Sequence, residues 1–227
     1  QGTKDADTTF VITGRKGLGY TFDVTFPDGK TVSASISKNP GRHNVLNATG
    51  VLSVVWALGL DVAKGAEALS TFSGVRRRFD LVAEVGGVTI VDDYAHHPTE
   101  IKATLGAAAK LDYKHVHVLF QPHRYSRTES LAPLFGDAFD AADSVTVMDV
   151  YPAGEAPIPG ISGKTVVASI LAHDPHKQVA WMPHRPEIVP YLLRKLEPGD
   201  LLITMGAGDV TSMGPALAAA LGGGSDE

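Results

Sequence analysis

The chain has 227 residues, of which 44% are hydrophobic, and it contains no Cys. This apolar content is too high for a disordered protein, and no apolar run approaches the roughly 18–20 residues that cross a bilayer. The lack of Cys excludes disulfides, thiolate metal sites and cysteine nucleophiles. A net charge of −5 argues against a general nucleic-acid-binding protein, and the first ten residues lack a secretory signal pattern. We therefore expect a cytoplasmic enzyme or binding domain with no nucleic-acid or membrane partner.

The first part of the chain predicts three strands followed by two helices. β-branched and aromatic residues favour strands at Thr9–Thr13, Tyr20–Phe26 and near Thr31–Ser37. Apolar residues then recur at helical spacing from His43 to Gly59, and Asp61 is placed to cap a second helix that ends near Thr71. Because so small a sheet has open edges, this part is more typical of the end of a longer domain than of an independent fold.

Beyond Phe72, short apolar strands alternate with helices. The strands are predicted at Val88–Val91, Val116–Phe120, Val145–Met148, Val179–Trp181 and Leu201–Thr204. The helices are predicted to begin at Pro98 and to span residues 126–142, 164–172, 187–195 and 210–221. Such alternation is typical of an α/β fold, in which helices cover both faces of a mainly parallel sheet. We divide the chain into residues 1–72 and 73–227.

Polar, charged or glycine-rich segments follow four of the five predicted strands. These segments are Asp92–Pro98, Gln121–Arg127, Asp149–Glu155 and Met205–Asp209. Because open parallel sheets bind ligands outside the carboxyl ends of their strands, the four segments predict one binding cleft.

Two of these segments together form a basic corner on an acidic protein. Its members are His96, His123, Arg124 and Arg127. An Arg at the start of a helix opposes the helix dipole, so two of them there indicate an anion such as a carboxylate or phosphate. The alternatives are that His96-His97 is a helix entry with one capping histidine and that the arginines are simply solvated. Because the two basic segments follow strands of the same predicted sheet, we favour the ligand-binding interpretation.

Three other patterns resemble sites but have simpler interpretations. Gly14–Gly19 lies between strands and predicts a hairpin loop. Gly163-Lys164-Thr165 predicts a helix start, because Ile158 stands where a phosphate loop needs Gly. Three scattered histidines are interpreted as surface residues, so no metal site is predicted: His173, His176 and His184. Arg76-Arg77-Arg78, at the junction of the two parts, is either a solvated charge run or a hinge whose arginine faces a shared cleft.

Six segments, in one fixed order, resemble the motifs of the Mur ligases, which build the peptide of peptidoglycan. They are His43–Ala48, Arg77–Phe79, Asp92–Glu100, Gln121–Arg127, Asp149–Pro159 and Thr204–Asp209. The resemblance is strongest to the type that adds the first amino acid, because the Gln121–Arg127 segment is not usual in the murein tripeptide ligase of the same family. That ligase, and a non-catalytic nucleotide-binding α/β domain, remain the alternatives.

The resemblance implies a fold and a reaction. Mur ligases have a UDP-sugar-binding domain, a central ATPase domain and a C-terminal domain with a Rossmann-like sheet, so residues 1–72 would be the end of the central domain and 73–227 the C-terminal domain. The implied reaction is ATP-dependent ligation of L-alanine to UDP-N-acetylmuramate through an acyl phosphate. The phosphate loop and the Mg²⁺ ligands would lie outside these 227 residues, and the chain alone would be inactive.

The resemblance also implies residue roles. His43, Asn44 and Asn47 would meet the adenine of ATP, Arg78 its phosphates and Asp93 its ribose. The alanine pocket would be formed by Tyr94, His96, His123, Arg124 and Arg127. Within that pocket, His96, Arg124 and Arg127 would also act in catalysis, with the arginines holding the alanine carboxylate.

Overall fold

A computed structural model describes residues 6–38, 40–72 and 75–223. The chain divides into two compact units, Gln1–Val75 and Arg76–Glu227. The sequence analysis places the division three residues earlier, after residue 72. No helix in the described part of the chain is long and apolar enough to cross a membrane.

The first unit contains an antiparallel sheet and two helices. Its strands, in spatial order, are β1 (Thr9–Lys16), β2 (Gly19–Thr25) and β3 (Thr31–Ile36), and its helices are α1 (Arg42–Ala57) and α2 (Val62–Thr71). The predicted hairpin at Gly14–Gly19 is confirmed, but β1 continues to Lys16 and leaves a turn of only two residues. Asp61 caps α2 as predicted, because its Oδ1 accepts a hydrogen bond from the N–H of Ala63 at 2.9 Å.

This unit has a hydrophobic core of its own. Phe22, Val24 and Phe26 alternate along β2 and its end, so their side chains leave the same face of the sheet, and all three are buried. The ring of Trp56 on α1 stacks on Phe26, with the ring centroids 6.0 Å apart and the planes 7° from parallel.

The second unit is built on a six-stranded sheet. In chain order its strands are β4 (Asp80–Val85), β5 (Val88–Asp93), β6 (Val116–Phe120), β7 (Ser144–Val147), β8 (Gln178–Trp181) and β9 (Leu201–Met205). Their spatial order is β4-β5-β9-β6-β7-β8, and every pairing is parallel except that of β4 with β5. The predicted α/β fold with a mainly parallel sheet is confirmed.

Helices lie between the parallel strands and after the last one. They are α3 (Pro98–Ala108), α4 (Tyr125–Leu131), α5 (Gly163–His173), α6 (Arg185–Leu193) and α7 (Met213–Gly222). The helix start predicted at Gly163-Lys164-Thr165 is confirmed, since the Ser162 hydroxyl accepts a hydrogen bond from the N–H of Lys164. Further along, the ammonium of Lys164 lies 4.3 Å from the ring centroid of Trp181 on β8.

The helix predicted over residues 126–142 is wrong. The α-helix ends at Leu131 and is followed by a single 3₁₀ turn, Ala132–Leu134, and then by non-helical turns. Pro133 lacks an N–H and its ring clashes with the carbonyl four residues earlier, and Gly136 soon follows with a poor helix propensity. The apolar residues of this stretch, among them Phe135 and Phe139, are buried nonetheless. The helix-like spacing of these residues therefore arises because a non-helical stretch of the chain buries its apolar side chains.

Candidate functional site

The carboxyl ends of β5, β9 and β6 lie side by side. In the sheet register, Met205 of β9 pairs with Asp93 on one side and with Phe120 on the other. Three of the four strand-end segments predicted to converge are therefore neighbours. The fourth adjoins them through a parallel bridge between His123 and Tyr151.

The glycine-rich segment after β9 is packed closely against the end of β6. A Cβ on Gly208 would lie 2.6 Å from Cγ of Tyr151 and would also collide with Oε1 of Gln121. The same Gln121 amide accepts from the N–H of Val210 at 3.0 Å and donates to Asp209 Oδ1 at 2.7 Å. Gly208 is thus required for close approach, and Gln121 fastens the segment in place.

Asp92 is a buried, fully hydrogen-bonded carboxylate. Its Oδ2 accepts from Arg77 Nε and from the Thr211 hydroxyl, both at 2.8 Å, and its Oδ1 accepts from the Thr204 hydroxyl at 2.7 Å. Arg77 also donates from Nη2 to the carbonyl of Gly206 at 2.6 Å. Arg77, the middle residue of the arginine run, therefore ties the start of the second unit to the loop after β9.

Asp93 holds two stretches of backbone through its two carboxylate oxygens. Its Oδ2 accepts from the N–H of Phe79 at 2.9 Å, and its Oδ1 accepts from the N–H of Ala95 at 2.8 Å. Burial raises the pKa of Asp93 even though these two hydrogen bonds and the charge of Arg78 favour its ionised form. Arg78 itself is exposed, and within the described ranges no carboxylate lies within ion-pair distance of it.

The two histidines before α3 have different tasks. His97 caps the helix, because its Nδ1 accepts from the N–H of Thr99 at 3.4 Å, as the capping interpretation predicts. Glu100 returns the contact by accepting from the backbone N–H groups of His96 and His97. Burial alone would raise the pKa of Glu100, but these hydrogen bonds outweigh it and lower the pKa. The ring of His96 is not used as a cap; its Nδ1 lies 3.0 Å from the carbonyl oxygen of Tyr94.

His123 and Arg127 form a pair at the end of β6. Arg127 Nη1 lies 3.2 Å from His123 Nδ1, and because a guanidinium can only donate, Nδ1 must be the acceptor. Burial, followed by the charges of His96, Arg127 and Arg124, lowers the pKa of His123. The imidazole is therefore neutral near pH 7, with its proton on Nε2.

Aromatic rings connect this pair to the neighbouring segments. The His123 ring stacks on Tyr151, with centroids 5.8 Å apart, and lies 5.6 Å from the ring of His96. His96 in turn makes an edge contact with Tyr94 at 5.4 Å. We call Tyr94, His96, His123, Arg127 and Tyr151 the ring cluster.

Arg124 lies on the rim of the ring cluster. It precedes α4 with a positive φ of 68°, a conformation that a residue with a side chain adopts only at some cost in free energy. Its Nη1 is 3.9 Å from Glu155 Oε1, and its side chain is 49% exposed. Glu155 also accepts from the N–H and the hydroxyl of Ser126, and these contacts, with the charge of Arg124, lower its pKa.

The other three predicted site residues belong to the first unit. His43, Asn44 and Asn47 all lie near the start of α1. Asn44 Nδ2 donates to the carbonyl of Pro40 at 2.7 Å, whereas His43 and Asn47 are exposed. The structure therefore brings together the predicted residues of the second unit around the strand ends and groups these three on one helix.

Comparison with known proteins identifies the family. Residues 77–208 match the family described as Mur ligase, glutamate ligase domain. The chain belongs to the Mur ligase family. It is 50% identical over 175 residues to the UDP-N-acetylmuramate–L-alanine ligase of Pelotomaculum thermopropionicum, covering 77% of this chain and 38% of that protein. It is 44% identical over 198 residues to the ligase of the same name from Syntrophomonas wolfei, covering 87% of this chain and 42% of that one.

Solved structures give the same family. The crystal structure of UDP-N-acetylmuramate-alanine ligase from Thermotoga maritima has a TM-score of 0.79 and 27% identity, over 96% of this chain and 46% of that one. A murein peptide ligase from Psychrobacter arcticus has a TM-score of 0.64 and 26% identity, over 96% of this chain and 45% of that one. The chain thus spans less than half the length of these Mur ligases.

Mur ligases in general require ATP and Mg²⁺. Asp92 and Asp93 do not fit a Mg²⁺ site, because Asp92 is committed to three side-chain donors and Asp93 to two backbone N–H groups. We assign no step to Mg²⁺ through these residues.

Four residues that organise the site were given no role by the sequence analysis. They are Arg77, Gln121, Tyr151 and Glu155. Each lies inside one of the strand-end or motif segments, so the sequence pattern indicates that these residues lie near the site. Their hydrogen bonds and ring contacts join different strand ends, and no spacing within one segment predicts them.

Proposed function

We propose that this chain is part of a ligase that joins L-alanine to UDP-N-acetylmuramate with ATP, in peptidoglycan synthesis. The observation that carries the proposal is the ring cluster, two imidazoles and a guanidinium at adjoining strand ends, in a chain 44–50% identical to ligases of that name. The first unit would correspond to the end of the central ATPase domain and the second unit to the C-terminal domain.

The two imidazoles offer opposite groups to a ligand. His96 Nδ1 must donate to the Tyr94 carbonyl, so in the neutral ring Nε2 is an acceptor. His123 Nδ1 accepts from Arg127, so its Nε2–H is a donor. An α-amino acid needs an acceptor for its amine and donors for its carboxylate. One acceptor and one donor suit an amino-acid substrate better than a phosphate group, which needs donors from both histidines.

The arginines would hold the carboxylate of L-alanine. Arg127 is already oriented by His123, which lowers the entropy lost when it binds a ligand. Arg124 is exposed, and its ion pair with Glu155 is long at 3.9 Å, so it can exchange that partner for the substrate. The rings of Tyr94 and Tyr151 flank the histidines and would limit the size of the bound side chain, which favours alanine.

The proposed reaction proceeds in two steps. ATP transfers its γ-phosphoryl group to the muramate carboxylate, giving an acyl phosphate and ADP. The alanine ammonium then gives one proton to Nε2 of His96, and the freed amine attacks the acyl carbon. The tetrahedral intermediate then expels phosphate, and the departing phosphate takes up the second proton of the amine as the amide forms. The residues of this chain thus act through positioning, charge neutralisation and one proton transfer.

The nucleotide contacts are part of the same proposal. Arg78, exposed and next to buried Asp93, would meet the ATP phosphates, and Asp93 would meet the ribose. In the first unit His43, Asn44 and Asn47 would contact adenine. The phosphate loop and Mg²⁺ ligands would lie in the region of the relatives that this chain does not cover.

A chimeric enzyme tests the proposal. The region of the Pelotomaculum thermopropionicum ligase that this chain does not cover is joined to this chain, and phosphate release is measured with ATP and UDP-N-acetylmuramate. We expect release that depends on L-alanine. Release that depends instead on L-alanyl-γ-D-glutamyl-diaminopimelate would favour a murein tripeptide ligase. If the chimera folds but releases no phosphate, while the intact Pelotomaculum thermopropionicum ligase is active in the same assay, the result would favour a non-catalytic nucleotide-binding domain.

A further inference from the structure

The amino ends of the parallel strands, opposite the candidate site, carry a cluster that the proposed ligase reaction does not use. His115, His117 and Asp200 lie at the amino ends of β6 and β9, and one ligand atom from each lies within 4.8 Å of the others. We propose that these three residues form a zinc-binding site. The sequence analysis, which predicted no metal site, weighed only the histidines at 173, 176 and 184.

The sheet register places the three residues together. β6 and β9 are parallel neighbours in which Val116 pairs with Leu201, so Asp200 lies opposite His115. The N–H of Leu201 donates to the carbonyl of His115 at 2.9 Å and fixes this pairing. His115 and His117 are two residues apart on an extended segment, so their side chains leave the same face.

The two nitrogen–oxygen distances in the cluster are close to those that a tetrahedral ion imposes. His115 Nδ1 is 2.9 Å from Asp200 Oδ1, and His117 Nε2 is 3.1 Å from Asp200 Oδ2. Zinc binds nitrogen and oxygen at about 2.0–2.2 Å, so tetrahedral ligand atoms are about 3.3 Å apart. One ligand atom from each of the three residues lies within 4.8 Å of the other two, so side-chain rotations would draw them around an ion without moving the strands.

Neighbouring groups orient two of the three ligands. His117 Nδ1 is 2.7 Å from the hydroxyl of Ser144 on β7, which leaves Nε2 for the ion. The N–H of Glu197 donates to Asp200 Oδ2 at 2.8 Å. Partners of this kind fix the tautomer and direction of metal ligands and typically contribute 10–100-fold to metal affinity.

Burial and ligand chemistry favour a particular ion and a route for it. The side chains of Asp200 and His117 are 1% and 9% exposed, whereas that of His115 is 51% exposed, so the ion would enter beside His115. Two imidazoles and one carboxylate suit Zn²⁺ or Co²⁺, while Mg²⁺ and Ca²⁺ prefer more oxygen ligands. The fourth position would be taken by water.

The site is independent of the proposed ligase function. Gln121, at the carboxyl end of the sheet, lies four positions after His117 along extended chain, which is roughly 13 Å at about 3.3 Å per residue. Failure of either proposal leaves the other standing. The competing role for the cluster is a hydrogen-bonded clamp in which the two histidines satisfy Asp200 without a metal.

Cobalt titration distinguishes the two roles. The untagged 227-residue chain, stripped with a chelator, is titrated with Co²⁺ while visible absorption is recorded, and Zn²⁺ is then added to displace it. We expect one equivalent of Co²⁺ to give a d–d band of low coordination number that Zn²⁺ abolishes. His115→Gln should weaken binding at least tenfold, and the exposed control His176→Gln should leave it unchanged.

Two further measurements make the result decisive. Zn²⁺ should raise the Tm of the parent chain and of His176→Gln but not that of His115→Gln. Ser144→Ala removes the hydroxyl that contacts His117 Nδ1 and leaves all three ligands in place, so it should weaken Co²⁺ binding about 10–100-fold. If there is no d–d band, or if His115→Gln binds and responds like the parent, the metal site is overturned and the cluster is a hydrogen-bonded clamp only.

Discussion

Arg127 is held in place by a neutral imidazole, and this arrangement has consequences for substrate affinity. In the chimeric ligase, Arg127→Ala should raise the KM for L-alanine by one to two decades and change the KM for ATP little. The reason is the loss of a charge-assisted contact to a carboxylate, which contributes about 1.5–3 kcal/mol. Arg124→Ala should act in the same direction. Steady-state kinetics with each substrate varied in turn provides the measurement.

An arginine elsewhere on the second unit serves as the control. Arg194, the exposed residue that follows α6, has the same charge but lies in no strand-end segment, so Arg194→Ala should leave both KM values unchanged. Equal rises for L-alanine and ATP in Arg127→Ala would assign the arginine to the phosphates and contradict the proposed pocket.

His123 makes the stability of the second unit depend on pH. Burial and the charges of His96, Arg127 and Arg124 lower its pKa, with Glu155 opposing them. Between this lowered pKa and the value of about 6.5 in the unfolded chain, the unfolded state binds more protons than the folded state. The free energy of unfolding therefore contains a contribution that is complete above about pH 6.5 and is lost as the pH falls toward the folded pKa.

Urea denaturation of the parent chain and of His123→Gln, at pH 7.5, 6.5 and 5.5, measures this contribution. Glutamine retains an acceptor for Arg127 but does not titrate, and the other histidines are common to both proteins. We expect the parent to lose more stability than the variant between pH 7.5 and 5.5. Parallel losses in the two proteins would show that His123 is not responsible.

Among individual residues, the sequence predicts those whose role is local. The capping role of His97 and the cap of Asp61 follow from positions within a few residues of a helix start. Arg77 could not be predicted in this way, because its partners Asp92 and Gly206 are brought to it only by the assembled sheet.

At the scale of elements, the loop after β9 depends on Gly208. Gly208→Ala should destabilise the second unit by roughly 1–3 kcal/mol, because the added Cβ meets Tyr151 and the Gln121 amide. Gly106, inside α3, has open space within 4 Å of the position that a Cβ would take, so Gly106→Ala should instead stabilise by about 0.5–1 kcal/mol. Denaturant unfolding of both variants measures the difference. A neutral Gly208→Ala would mean that the loop is not held as closely as described.

Elements with a strong period or a continuous apolar run are the ones that the sequence predicts. The buried strands β5, β6, β7 and β9 and the start of α5 are of this kind. The edge strand β4 is not of this kind, because it is only half-buried and carries Asp80 and Glu84, so its pattern does not predict a strand. The sequence pattern predicts too long a helix for α4, because the buried aromatic residues after Pro133 have a spacing like that of a helical face.

At the scale of the whole molecule, the chain carries the proposed amino-acid pocket but no phosphate-loop motif in its 227 residues. We therefore predict that the purified chain alone releases no phosphate from ATP above background when UDP-N-acetylmuramate and L-alanine are supplied. The Pelotomaculum thermopropionicum ligase under the same conditions is the positive control. Phosphate release by the chain that disappears in Arg127→Ala would contradict the prediction, because contaminating ATPases would not respond to that substitution.

The chain has two tryptophans, and each unit contains one of them. Trp56 stacks on Phe26 in the first unit, while Trp181 in the second lies beneath the ammonium of Lys164. Trp56→Phe and Trp181→Phe would each leave a single tryptophan, and tryptophan fluorescence excited selectively would then follow the melting of one unit without a tryptophan signal from the other.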